Sequence, residues 1–189
     1  MPLHDIDSLV TEAHDCWELG DHAQAAALFF EAARLESEAA AKRGAFAKAD
    51  QSFLYRARAA YCLWDAGQFD KARPILTEVT SFDWKRAGLW ADRHDTEKAF
   101  SRLILEAAAA ADLRGFSELW HTATARCGEI NWLFPKIVPN QKKLLQAAMA
   151  LGQTDACRQI LERIDAKFLS KDHELQVLRM QAKRICGEA

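Results

Sequence analysis

A helix corner written twice constrains this chain more than any other feature. From Ala59 to Val79 the sequence reads AAYCLWDAGQFDKARPILTEV. An apolar stretch ends at Trp64-Asp65-Ala66 and meets Gly67; a second stretch then carries Phe69, Ala72, Ile75, Leu76 and Val79 at spacings of three and four, the period of a helix face. From Ala13 to Glu36 the chain reads AHDCWELGDHAQAAALFFEAARLE. Trp17 answers Trp64, Gly20 answers Gly67, Ala25 answers Ala72 and Phe29 answers Leu76, each 47 positions on. A repeated hairpin of helices defines a scaffold that binds something, without naming what is bound.

The rest of the chain agrees with helices throughout. Its 189 residues include only 8 Gly and 4 Pro, and Ala recurs in runs such as Ala25 to Ala27 and Ala107 to Ala111. Such a mixture favours helix and offers few breakers, so the fold class is all-α. The length suits one domain, 1–189, with a core of its own. In order, Asp7 or Ser8 caps a first helix to Leu19, and a second runs from His22 to about Lys42. A third runs from Lys48 or Asp50 to Ala66, and a fourth from Phe69 to Thr80, with Pro74 near its start. Asp83 to Trp90 forms a short helix or turn. Thr96 caps a fifth helix to Arg114, Gly115-Phe116 turns the third corner, and a sixth helix ends at Gly128. Asn131 to Pro139, with two prolines, is an irregular connection. Asn140 caps a seventh helix, Gly152 turns the fourth corner, an eighth runs from Ala156 to Phe168, and a ninth from Lys171 to Cys186. The hairpins thus span about 6–46, 48–82, 96–128 and 140–168, with 171–186 as a capping helix.

Four corners at Gly20, Gly67, Gly115 and Gly152 make the chain resemble the tetratricopeptide repeat family. That family follows a helix-ending Gly with x-aromatic-x-x-Ala and then a further aromatic and Ala. Gly67-Gln68-Phe69-Asp70-Lys71-Ala72 matches this order, as do Gly20 to Ala25 with Phe29 and Ala32, where His22 takes the aromatic slot. The family repeats about every 34 residues, whereas the corners here are 47, 48 and 37 apart and lack the Pro that follows the second helix. The units are therefore divergent, longer-helix relatives. The resemblance implies a short α-solenoid of stacked antiparallel hairpins, its first helices lining a concave surface that holds a segment of a partner. Carried over by position, Asp7, Val10, His14, Trp17 and Glu18 face inward from the first unit. Leu54, Ala57, Tyr61, Trp64 and Asp65 do so from the second. Trp17 and Trp64 beside Glu18 and Asp65 suit a basic or mixed basic-apolar protein or peptide, because indole offers both apolar area and a cation–π face. The alternative is that both tryptophans pack between helices.

Charge narrows the partner further. Residues 1–40 carry nine acids against Arg34 alone, whereas from Lys136 onward ten bases face six acids. A nucleic-acid binder shows a basic stripe and a basic balance; with a net charge of −2 this chain has neither, so no nucleic-acid partner is expected. The five cysteines are spread without a C-x-x-C pair, and the N-terminus lacks the basic and apolar pattern of a signal peptide. With no apolar run of membrane length, a cytoplasmic protein without membrane partner is expected.

Catalytic patterns are missing. The six histidines make no H-E-x-x-H, and none pairs at i, i+4, so no metal or other cofactor is expected. The sequence holds no G-x-S-x-G, P-loop or G-x-G-x-x-G, and the chain is read as not an enzyme. It is read as a protein–protein interaction module of the kind used as adaptor, secretion chaperone or immunity protein blocking a toxin. Two alternatives stand beside it: a structural repeat protein that associates with itself as a homo-oligomer, and an enzyme with a pocket around Asn131 to Pro139.

Overall fold

The computed structural model describes residues 5–42, 50–83, 93–129, 138–164 and 169–187. The segments expected as a short helix from Asp83 to Trp90 and as an irregular connection at Asn131 to Pro139 fall mostly outside them. So does the end of the eighth helix at Phe168. Among the described residues there are nine helices and no strand, so the chain is all-α. They are α1 (Ile6–Glu18), α2 (His22–Lys42), α3 (Ser52–Asp65), α4 (Phe69–Ser81), α5 (Arg93–Ala109), α6 (Leu113–Glu129), α7 (Val138–Ala150), α8 (Thr154–Leu161) and α9 (His173–Ile185). The chain divides into two compact units, Met1–Ala99 and Phe100–Ala189, with α5 running through the division.

Every described corner is built the same way. At the first, the Gly20 N–H donates to the Trp17 carbonyl at 3.1 Å and the Asp21 N–H reaches back to Cys16 at 2.9 Å. Gly67 and Gln68 repeat this onto Trp64 and Leu63, and Gly152 and Gln153 onto Met149 and Ala148. This paired reach satisfies carbonyls that a helix end leaves open, and it needs a left-handed residue at the turn. Gly20 (φ 84°), Gly67 (φ 74°) and Gly152 (φ 65°) supply it.

The third corner corrects the sequence reading. The left-handed residue is Ala111 (φ 52°), four positions before the expected Gly115. Ala111 donates to Ala108 and Asp112 to Ala107, in the same pattern as the glycine corners. Asp112 then caps α6, its Oδ1 accepting the Gly115 N–H at 2.9 Å. Gly115 is a residue of the first turn of α6, and a Cβ there would lie 2.2 Å from the Asp112 carboxylate. Its small size makes room for the cap. Gly128, expected to stop the sixth helix, lies inside α6. The first helix also starts earlier than expected: Asp5, in extended conformation, caps α1 by accepting the Asp7 N–H, which places Asp7 in the first turn rather than at the cap. There its charge is favourable against the helix dipole.

In the first unit α2 packs against both α1 and α3, and α3 against α4. Small side chains let the backbones close: Ala25, Ala32, Ala57, Ala59, Ala60 and Ala72 are fully buried, beside Phe29, Tyr61 and Leu76. Glu36 of α2 is buried as well, and its Oε1 accepts the Gln51 N–H at the start of α3 at 3.2 Å. Gln51 makes no side-chain cap of its own, so α2 caps its neighbour.

The second unit packs Phe100 and Ile104 of α5 with Phe116 and Trp120 of α6, Leu144 and Leu145 of α7, Ile160 of α8 and Leu178 of α9. The Trp120 indole N–H donates to Gln159 Oε1 at 2.9 Å, which pins α6 to α8. Lys142 of α7 holds Asp172 at 2.7 Å and Glu174 at 2.8 Å, tying α7 to the start of α9, and the ammonium depresses the Asp172 carboxyl below its usual range.

The corners give opposite expectations for two substitutions. Ala111→Gly relieves a Cβ clash of about 1–2 kcal/mol and gives back only about 0.4–1 kcal/mol of unfolded-chain entropy. It should raise stability by about 0.5–1 kcal/mol in denaturant titration. Gly67→Ala should lower it by a similar amount of about 0.5–1 kcal/mol, although nothing lies within 4 Å of the added Cβ.

Candidate partner-binding site

His14 and Trp17 lie one turn apart on α1 and share a face. On α3, Arg58, Tyr61 and Asp65 lie at i, i+3 and i+7 and do the same. The two faces meet. Arg58 Nη1 stands 3.2 Å from His14 Nε2. A guanidinium has only hydrogens to offer, so the imidazole accepts and is neutral, with its proton on Nδ1. The Trp17 ring stacks on Tyr61 with centroids 6.5 Å apart, and its indole N–H donates to Asp65 Oδ2 at 3.1 Å. Phe29 of α2 meets His14 edge-on at 5.1 Å and Trp17 edge-on at 6.3 Å. Four rings and two charged groups thus join three helices.

The start of α5 adds to the site. The Tyr61 hydroxyl donates to the Asp95 carbonyl at 2.7 Å, and the Lys98 ammonium lies 5.8 Å from the Tyr61 ring centre. Tyr61 is fully buried, so it supports the face without reaching a partner. Trp17 and His14 are half-buried, and Asp15, Glu18 and Asp65 are exposed beside them. Among the described residues neither Asp15 nor Glu18 has an ion pair. Leu19, which follows, is 86% exposed.

The sequence-derived set divides on this geometry. His14, Trp17, Tyr61 and Asp65 come together, with Glu18 at their edge. Asp7 does not join them: it lies ten residues back on α1, roughly 15 Å along the axis. Trp64 turns to its own corner, where its ring meets Phe69 edge-on at 4.8 Å. Leu54 and Ala57, expected to face the concave side, are buried core residues. Trp17 and Trp64 are equivalent in the repeat but differ in surroundings, because contact between α1 and α3 runs at separations of 44 and 48, not 47. A stagger of about one turn puts Trp17 over Tyr61.

Arg58, Lys98 and Phe29 were not among the site residues expected from the sequence. For Arg58 a signal existed: it continues the Tyr61–Asp65 face one turn back. Nothing in the sequence placed Lys98 of α5 over Tyr61. With both cations present the site is mixed in charge, acidic at its rim and basic beneath. Among the described residues no three His, Cys, Asp or Glu side chains converge to hold a metal ion, and no helix is long and apolar enough to cross a membrane. No protein-family model, curated protein or solved structure matches the chain.

Burial, and next the Arg58 charge, hold the His14 imidazole below its usual value of 6.5, against the opposing pull of Glu18 and Asp15. Below that value the unfolded chain takes up a proton that the folded chain refuses, so stability is full above it and falls as pH drops through the window beneath. Replacing His14 with Gln keeps an acceptor for Arg58 and removes the titration. Denaturation midpoints of the wild type should fall between about pH 7 and pH 5, and His14→Gln should flatten that slope.

Proposed function

We propose that this chain is a tetratricopeptide-like interaction module that binds a basic or mixed basic-apolar segment of another protein across α1 and α3. The observation that supports this best is the Trp17 side chain. Its polar edge is committed to Asp65 and one face to Tyr61, so it is held rigid, yet it stays half-buried next to exposed Asp15 and Glu18. A pre-ordered aromatic ringed by carboxylates loses little freedom on binding and can receive both an apolar and a cationic side chain. The acidic excess over residues 1–40 would steer such a partner toward this end of the chain. An adaptor, a secretion chaperone and an immunity protein would each use a face of this kind, and the partner's identity separates them.

The test compares what wild type and variants retain from the native cell extract at low and high salt. Asp15→Lys with Glu18→Lys changes two exposed, unpaired side chains and should leave the unfolding midpoint unchanged while abolishing retention of the partner. Trp17→Phe keeps the stacking ring but loses the bond to Asp65. It should cost about 1 kcal/mol of stability and weaken retention. If the charge-reversed protein keeps the same partner, or wild type retains only itself, the α1–α3 face is not the binding surface.

A further inference from the structure

The outer face of α9 sets an apolar side chain between two cations. Gln176, Arg179, Met180 and Lys183, at i, i+3, i+4 and i+7, line an open groove of about 510 Å³ whose other wall is Leu169 and Ser170. The groove is held in shape, since Gln176 Nε2 donates to the Leu169 carbonyl at 2.8 Å. The opposite face of the helix, Leu175, Leu178 and Ala182, is buried in the core. Six cations elsewhere hold carboxylates: Arg34, Arg56, Arg73, Arg114, Lys142 and Arg158. Arg179 and Lys183 hold none among the described residues. The helix dipole accounts for a base in the last turn such as Lys183; Arg179 lies mid-helix, outside its reach. Met180 between them is 56% exposed.

The same chain carries the complementary shape. At the corner after α1, Leu19 stands 86% exposed, with Glu18 and Asp21 on either side and Asp15 one turn back. An apolar knob among carboxylates matches an apolar groove between cations, and the charge asymmetry of −8 over residues 1–40 against +4 from Lys136 onward has the same sense. We infer that the α9 groove is an interface between copies of this chain, receiving the Leu19 corner of a second molecule, with Glu18 and Asp21 against Arg179 and Lys183. Knob and groove are different surfaces, so each contact sets the knob of one copy in the groove of the other. This inference does not rest on the α1–α3 face binding another protein.

Sedimentation equilibrium over a concentration series tests it. At about 0.1 M salt the average mass of wild type should rise with concentration from the 21.3 kDa of one chain; at about 1 M, where screening shrinks from roughly 10 to 3 Å, it should stay there. Leu19→Lys breaks the knob. Arg179→Glu with Lys183→Glu breaks the groove, and Met180→Glu does so by itself at an exposed position. Each variant alone should remain a monomer at low salt. A knob variant mixed with a groove variant should form a one-to-one dimer and nothing larger, since one intact knob and one intact groove remain. Wild type that is monomeric at low salt throughout the series overturns the inference and leaves the groove to an acidic segment of another protein. Association that survives the groove variants, or a mixture that fails to pair, overturns it equally.

Discussion

Reversal of the chain at the end of a helix is the constraint on which the described structure depends. An α-helix finishes with carbonyls that have no intrahelical partner, and a tight return is open only if the turn itself supplies the donors. Two N–H groups do so at each corner, which obliges one residue to adopt the left-handed conformation. Glycine does this without a steric clash, and three of the four corners use it; Ala111 does it at some strain. Once the corners are fixed, each apolar stripe faces that of its neighbour, and alanine at the contact positions lets the helices approach.

Close approach then determines which side chains can meet. Between α1 and α3 the stagger of about one turn stacks Trp17 over Tyr61 and brings Arg58 to His14. Those groups serve packing and surface together. Trp17 is anchored by Asp65 and Phe29, Tyr61 is sealed beneath with its hydroxyl on the Asp95 carbonyl, and only the outer edge of the cluster meets solvent. The two tryptophans therefore differ in surroundings: Trp17 packs between α1 and α3 while staying half-buried, and Trp64 closes its own corner against Phe69. Burial keeps His14 neutral, so it accepts from Arg58 without repulsion between two cations.

The third corner shows why local pattern has a limit. Gly115 looked like the turning residue because glycine is the commonest one. Asp112 as a cap and Ala111 as the left-handed residue outweighed it, because a carboxylate three residues before an N–H satisfies that donor and glycine at the N–H position gives the carboxylate space. The corrected corners stand at 20, 67, 111 and 152, a run of separations that shortens steadily instead of scattering. Asp5 at the start of α1 teaches the same lesson, with the cap two residues before the expected one.

Sequence by itself determined the all-α class, the existence of the helices and three of the four corners. Each of these depends on neighbours within a turn or two: apolar spacing, glycine at a helix end, a scarcity of breakers. It also singled out His14, Trp17, Tyr61 and Asp65, through the inward positions that the tetratricopeptide resemblance implies. Which helix face meets which, and with what stagger, belonged to the tertiary structure. A repeat offset of 47 states equivalence between units, whereas contact depends on how two cylinders slide past each other until their side chains interlock. The contacts of Trp17 with Tyr61 and Asp65 and of His14 with Arg58 fix that slide. The tertiary structure set Trp64 against Phe69, buried Tyr61, and brought Arg58 and Lys98 to His14 and Tyr61.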